Sequence, residues 1–194
     1  MTIRPYNKRD FRYIQDICVA TSWLADEDNA VNRALLCSLY CDYYLDNEPE
    51  FCFVAADDDD IPVGYVLCSA NLDMYRDMNE CSYLPLVRKL DSSAYYEAVA
   101  QQKVESRYTK QGYTSHIHID ILPEYQRQGI GTDLIAAITE KLTASFVEGM
   151  YLICSLKNKV ACSFYEKLGF EDIDYIGGAV VYGKKLFKED DETV

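Results

Sequence analysis

Apolar and polar residues change their spacing along this chain, and the sharpest change lies between Ser115 and Leu134. Ile117, Ile119 and Ile121 alternate with His116, His118 and Asp120, the period of a strand with one buried face. Pro123 ends that strand, since it has no N–H to give a ladder. From Ile130 onward Leu134, Ile135, Ile138 and Leu142 recur at helical spacing, so the chain passes from strand to helix across Glu124 to Gly131.

Spacing elsewhere predicts the remaining elements. Thr2 to Tyr6 reads as a strand, and Asn7 caps a helix with Asp10 at its third position and Phe11, Ile14, Ile17 and Cys18 turned inward. A second helix is expected from about Asp28 to Leu45, with Leu35, Leu36, Leu39, Tyr40, Tyr43 and Tyr44 on a wide apolar face, stopped at Asn47-Glu48-Pro49. Phe51 to Ala56 and Pro62 to Ser69 form a hairpin around Asp57 to Asp60. That loop lacks the spaced oxygens and glycine of an EF-hand, and it reads as solvated. Residues 71–112 are too apolar for a disordered linker, and Asp91-Ser92-Ser93 resembles a helix start, so two or three short helices are expected. Met150 to Ser155 is a strand, Val160 to Leu168 a short helix closed by Gly169, and Ile173 to Ile176 with Ala179 to Phe187 a terminal hairpin around Gly177-Gly178. Glu189 to Val194 is expected to fray. This order fits an α/β (α+β) fold with one mixed sheet flanked by helices.

Composition narrows the class. The 194 residues suit one domain over 1–194, which buries roughly 70% of its unfolded surface. Of eight cysteines, Cys18, Cys52, Cys68 and Cys154 lie in apolar runs as free thiols do, and no Cys-x-x-Cys pair occurs. Cys37 and Cys41 share a helical face with no histidine near them, so no metal site is expected. No run approaches the ~20 apolar residues of a membrane span and no leader pattern opens the chain. The expectation is a soluble, cytoplasmic protein with no membrane partner. A net charge of −13 argues against nucleic acid, which needs a basic face. Most of the acidic excess sits in Asp26 to Asp28, Asp57 to Asp60 and Glu189 to Glu192, and a basic substrate is compatible with this field.

Candidate chemistry concentrates in the strand-to-helix turn. A helix starting at Gly129-Ile130-Gly131 has no side-chain bulk over its first turn, and its first N–H groups lack helical partners. Such a turn either simply connects two elements or binds an anion, with Arg127 beside it. Asp133-Leu134 occupy the place of a dinucleotide fingerprint's third glycine, and the Gly-Lys-Ser/Thr of a Walker loop is absent.

Gln126-Arg127-Gln128-Gly129-Ile130-Gly131 resembles the Gln/Arg-x-x-Gly-x-Gly/Ala signature of the GNAT acetyltransferase superfamily. Asn158-Lys-Val-Ala161-Cys-Ser-Phe-Tyr165-Glu-Lys-Leu-Gly169-Phe170 resembles its Asn-x-x-Ala-x-x-Phe-Tyr-x-x-x-Gly-Phe segment. The two cover 115–170, and Ile3-Arg4-Pro5 with Asp10 and Ile14 bears a looser likeness to the family's opening strand and helix. Within the superfamily, His118-Ile-Asp120-Ile-Leu-Pro123 is similar to the acetyltransferase-like domain found with some O-GlcNAc hydrolases and to small free-standing bacterial relatives.

The resemblance implies a GNAT-like, mostly antiparallel sheet of about seven strands whose fourth and fifth splay apart around the pantetheine arm of acetyl-CoA. Residues 71–112 depart from it, because the family joins its third and fourth strands by a short turn. This helical insertion is either a structural appendage or dimer contact, or a lid setting Tyr95 and Tyr96 over the acceptor pocket. The implied activity is transfer of acetyl from acetyl-CoA to a primary amine of a small molecule or peptide, by a monomer or homodimer. The alternative is a CoA-binding recognition module without turnover. By the same resemblance, backbone groups of Ile119, Asp120 and Ile121 meet the arm. Amides of Arg127, Gln128, Gly129, Ile130, Gly131 and Thr132 hold the pyrophosphate, and Asn158 contacts the arm from the other side. Tyr165 matches the family's proton donor, or is a tyrosine packed between helix and sheet. The glutamate that some members carry five residues before the asparagine is Ile153 here, which takes no proton. The base is therefore expected at Asp120, directly or through water, with His118 second. The plainer reading packs both histidines and leaves Asp120 capping the turn.

Overall fold

The computed structural model describes residues 1–22 and 29–187, so the expected helix start at Asp28 and the tail after Glu189 lie outside the described residues. Strands β1 (Thr2–Pro5), β2 (Phe53–Ala56), β3 (Pro62–Ser69), β4 (Ser115–Ile121), β5 (Gly149–Ser155), β6 (Glu171–Ile176) and β7 (Ala179–Lys185) form one sheet in the order β1-β2-β3-β4-β5-β7-β6. All neighbours are antiparallel except β4 and β5. Helices α1 (Phe11–Thr21), α2 (Ala30–Tyr40), α3 (Asp42–Asn47), α4 (Leu72–Met78), α5 (Leu84–Leu90), α6 (Ser92–Thr109), α7 (Ile130–Ala144) and α8 (Lys159–Lys167) flank it. Among the described residues no helix is long and apolar enough to cross a membrane.

The parity of β4 divides the interior into two cores. Ile117 joins Leu134, Ile135, Ile138 and Leu142 of α7 with Met150 and Leu152 of β5 on one face. On the other, Tyr65 and Leu67 of β3 pack with Ile14 and Ile17 of α1, Leu36 of α2 and Tyr43 and Tyr44 of α3. Covered on both faces, β3 is buried along its whole length. A third cluster, Tyr108, Tyr113, Tyr151 and Val181, closes the β5–β7 end under α6.

Local chemistry fixes the opening elements. Asn7 and Asp10 form a capping box around a short 3-10 turn, Lys8–Asp10, that leads into α1. Asp10 is also paired with Arg4 at 2.7 Å, and Arg4 reaches Asp60 at 2.6 Å. The Asp57–Asp60 loop, expected to be merely solvated, thus ties β1 to the hairpin. Asp57 accepts from the amides of Asp59 and Ile61, which shapes the loop from within.

Two helical expectations differ from the outcome. The single helix drawn to Leu45 breaks at Cys41 (φ −126°, ψ −57°) into α2 and α3, which re-aims α3 so that the adjacent Tyr43 and Tyr44 are both buried. In the insertion, α4 and α5 are joined by a π-helical turn, Asn79–Tyr83, and α6 is a long helix of 18 residues. Only Glu105 and Tyr108 of α6 are buried, so it carries little apolar periodicity to read. Asp91 starts it by accepting from the amides of Ser93 and Ala94.

Candidate active site

Strands β4 and β5 pair only at Ser115↔Met150 and His116↔Tyr151, and beyond His116 they part. Each is held elsewhere: β4 by β3 from Gly64↔Ile121 to Ser69↔His116, β5 by β7 along all its residues. From Ile117 to Ile121 one edge of β4 therefore presents peptide groups that β5 does not engage. An extended ligand with amide groups of its own satisfies such an edge as another strand would.

The turn beyond β4 is built from backbone and side-chain amides. The Gln126 carboxamide donates to Ile121 O at 2.9 Å and that of Gln128 to Glu124 O at 3.0 Å, bracing the loop. Arg127 (φ 59°) and Gly129 (φ 88°) are left-handed, a backbone suited to anion-binding concavities. Bonding within α7 begins with the amide of Thr132, which donates to Gly129 O at 2.9 Å. This narrows the free amides to those from Arg127 to Gly131. The two glycines serve different ends. A Cβ on Gly129 would meet nothing within 4 Å, so that position needs glycine for its φ; a Cβ on Gly131 would stand 2.9 Å from Phe164, so there glycine lets α8 pack against the start of α7. Asn158 is exposed and caps α8, its side-chain oxygen accepting from Ala161 N at 3.1 Å; among the described residues nothing accepts from its NH2.

Tyr165 is 8% exposed, its ring set among Phe164, Phe170 and Tyr182 at centroid distances of 5.2, 5.7 and 5.7 Å. Its ring is thus part of the packing between helix and sheet. Burial first, then Cys154 and Asp120, raise its proton affinity, so the phenol stays protonated. Cys154 is on β5 and Asp120 on β4, so the hydroxyl lies within electrostatic reach of both strands that bound the gap. It has no hydrogen-bond partner among the described residues.

The unbroken β3–β4 register leaves His116, His118 and Asp120 on one face. Tyr65, directly opposite Asp120 on β3, donates its hydroxyl to Asp120 Oδ2 at 2.8 Å and lies 3.3 Å from His118 Nδ1. His118 Nε2 is 3.7 Å from the same carboxylate oxygen, and the two side chains are 25% and 28% exposed. Among the described residues no amide of the following turn donates to the Asp120 carboxylate. Burial lowers the His118 pKa, with Asp120 opposing it, and Tyr40 stacks on the ring at 5.3 Å. His116 is deeper. Its Nδ1 lies 2.9 Å from the Tyr44 hydroxyl, its ring stacks on Tyr151 at 5.0 Å, and burial, then His118, pushes its pKa down to about 3. That histidine is a neutral structural group.

Of the two tyrosines that the lid reading of the insertion named, Tyr95 has Arg88 over its ring at 5.4 Å and Tyr96 is 62% exposed. Tyr40 and Tyr75 instead line the cavity under the insertion. Sequence reading missed Tyr65 and Tyr40. Tyr65 was in principle findable through the β3–β4 register, but the insertion separates the two strands and hides it.

The acetyltransferase (GNAT) family pattern matches residues 20–170. N-alpha-acetyltransferase 30 of Schizosaccharomyces pombe is 28% identical over 170 residues, covering 88% of this chain and 83% of the relative. The crystal structure of SsHAT superposes with a TM-score of 0.84 at 26% identity, covering 96% of this chain and 98% of that one. The PaiA N-acetyltransferase of Thermoplasma acidophilum, solved in complex with coenzyme A, shares the fold with a TM-score of 0.60 at 15% identity, over 95% of this chain and 98% of that one.

Proposed function

This chain belongs to the GNAT acetyltransferase family and is an acyltransferase, and from that premise we propose that it transfers the acetyl group of acetyl-CoA to the primary amine of a small molecule or peptide. The observation that carries this reading is the β4–β5 gap, with the left-handed turn at one end of β4 and the Tyr165 hydroxyl within reach of both strands. The residues fit the cosubstrate. Peptide groups of Ile119, Asp120 and Ile121 on the open edge bind the amide-bearing arm, and the amides from Arg127 to Gly131, with the Arg127 guanidinium, hold the pyrophosphate at the positive end of α7. Asn158 offers its free NH2 to the arm from the α8 side.

Acetyl-CoA supplies an activated thioester carbonyl. Only a neutral amine attacks it, so the first task of the protein is to take a proton from the ammonium. Asp120 does this, directly or through a water, held by the Tyr65 hydroxyl at 2.8 Å and open enough to meet the acceptor. His118, whose Nε2 lies 3.7 Å from that carboxylate, orients it and is the second candidate for the base. Tyr165, kept protonated, gives a proton to the leaving sulfur. Over a turnover one C–N bond forms, one C–S bond breaks, CoA leaves as the thiol, and one net proton goes to solvent.

Release of free CoA in the presence of a panel of primary amines tests the reading. The parent releases CoA with at least one acceptor, and Tyr165→Phe lowers turnover by about 10²-fold while acetyl-CoA affinity is kept. Tight acetyl-CoA binding with no CoA release from any amine overturns transfer in favour of a recognition module. Equal turnover in both proteins, with chemistry rate-limiting, removes Tyr165 as the donor.

A further inference from the structure

A cavity of about 250 Å³ lies between α2 and the inserted helices. One wall is aliphatic, from Leu35, Leu39 and Leu84, and its charged lining is Asp91, Glu97 and Glu105. No lysine, arginine or histidine is among its lining residues, and among the described residues no cation pairs with any of the three carboxylates. Asp91 is partly used, capping α6 at 2.8 Å from Ser93 N, whereas Glu97 is exposed and meets only the Ser93 hydroxyl at 3.4 Å.

Glu105 is the unusual member. It is 6% exposed, bonded only by the Gln101 carboxamide at 2.8 Å, and burial raises its pKa. A buried carboxyl without a cation is costly to ionise. Behind it stands Tyr151, also buried. The Tyr151 hydroxyl is near enough to lower the proton affinity of Glu105, yet it is outside hydrogen-bonding geometry and has no partner among the described residues. Glu105, which lines the cavity, thus carries bonding capacity that Gln101 alone does not fill.

The cavity adjoins the reaction site at Tyr40. Tyr40 lines it and stacks on His118 at 5.3 Å, and His118 is 3.7 Å from Asp120. The volume of about 250 Å³, just under the roughly 300 Å³ at which drug-sized pockets begin, suits a small ligand.

We propose that this cavity is the far end of the acceptor site, and that it takes the second positive charge of an aliphatic diamine or polyamine whose other amine is presented to Asp120. The leucines cover the methylene stem, Tyr40 gives the cation an aromatic face on its way in, and Glu97 and Glu105 gain the counter-charge they lack. The inference rests on the transfer reading above for its reaction, but not for its binding step.

Both are therefore measured. Steady-state rates with 1,4-diaminobutane and 1-aminobutane give a kcat/KM at least tenfold higher for the diamine. Glu97→Gln, a change at an exposed position, raises the KM for the diamine about tenfold with little change in the KM for acetyl-CoA. Ala98→Trp, which fills the cavity, removes the preference for the diamine. Calorimetric titration of 1,4-diaminobutane into the CoA-loaded protein reads the same site without turnover. Heat in the parent that weakens in Glu97→Gln supports the cavity even where no amine releases CoA, and in that case only the transfer reading fails. Equal kcat/KM for the two amines, or diamine binding indifferent to both Glu97→Gln and Ala98→Trp, overturns the proposal.

Discussion

The two faces of β4 arise from seven consecutive residues and do opposite things. Ile117, Ile119 and Ile121 face α7 and α8, where what counts is apolar area removed from water. His116, His118 and Asp120 face the tyrosines of α2, α3 and β3, where each polar group must be met by another: His116 by Tyr44, Asp120 by Tyr65, and His118 by Tyr65 and the Tyr40 ring. Exposure then divides the polar face itself. His116 is buried, whereas His118 and Asp120 keep 25% and 28% of their side chains open. An alternating pattern in sequence thus carries structure at one end of the strand and the proposed chemistry at the other, and accessibility separates them.

The comparison breaks most visibly at Asp120. Asp120→Asn keeps shape and hydrogen bonding to Tyr65 but accepts no proton, so kcat/KM should fall by about 10³-fold, equivalent to about 4 kcal/mol of transition-state stabilisation. Acetyl-CoA affinity should hold, since the backbone of β4 is unchanged. The acidic limb of the pH–rate profile decides the matter. If Asp120→Asn and the parent share that limb, Asp120 is not the base, and the same measurement passes to His118→Gln.

On the opposite face, Ile117→Ala should lower unfolding free energy by about 3 kcal/mol, from lost transfer energy and a cavity beneath α7. Ile117 is 2% exposed and touches none of the proposed chemistry, so kcat/KM per folded molecule should stay within about twofold of the parent. Denaturant titration and an active-site-normalised rate check the two halves separately. A large rate loss at unchanged stability would show that the faces are not separable.

How much of this was legible in sequence differs between these regions for physical reasons. Strong periodicities gave β4, α7, the β2–β3 hairpin and the capping box of Asn7 and Asp10, because each is a short-range pattern with one solution. The turn at Arg127 to Gly131 was legible as a tight strand-to-helix turn, whereas the clearance of Phe164 by Gly131 was not, because that contact joins residues far apart in sequence. The break at Cys41 and the length of α6 were not legible. The first trades a helical bond for burial of Tyr43 and Tyr44, and the second is a mostly polar helix held by contacts of its ends and of Glu105 and Tyr108. Tyr65 and Tyr40 entered the site only through tertiary pairing, which no local pattern reports.

The smallest expected effect sharpens the division within the polar face. His116 has its folded pKa lowered to about 3, chiefly by burial, against about 6.5 when the chain is unfolded. Between those values the unfolded chain binds a proton that the folded one refuses, so stability rises with pH across the window. The contribution is fully present above about pH 6.5 and is lost progressively as pH falls toward 3, amounting to about 1.4 kcal/mol at pH 5.5. His116→Gln keeps a partner for Tyr44 and removes the titration. The stability difference between pH 7.5 and pH 5.5 should accordingly shrink by about that amount relative to the parent, the carboxylates common to both proteins cancelling in the comparison. His118→Gln should shrink it less, because that ring is partly open and Asp120 opposes the lowering of its pKa. Identical pH dependence in His116→Gln and the parent would mean that His116 is accessible to protons in the folded state, and the structural end of β4 would then be as open as its chemical end.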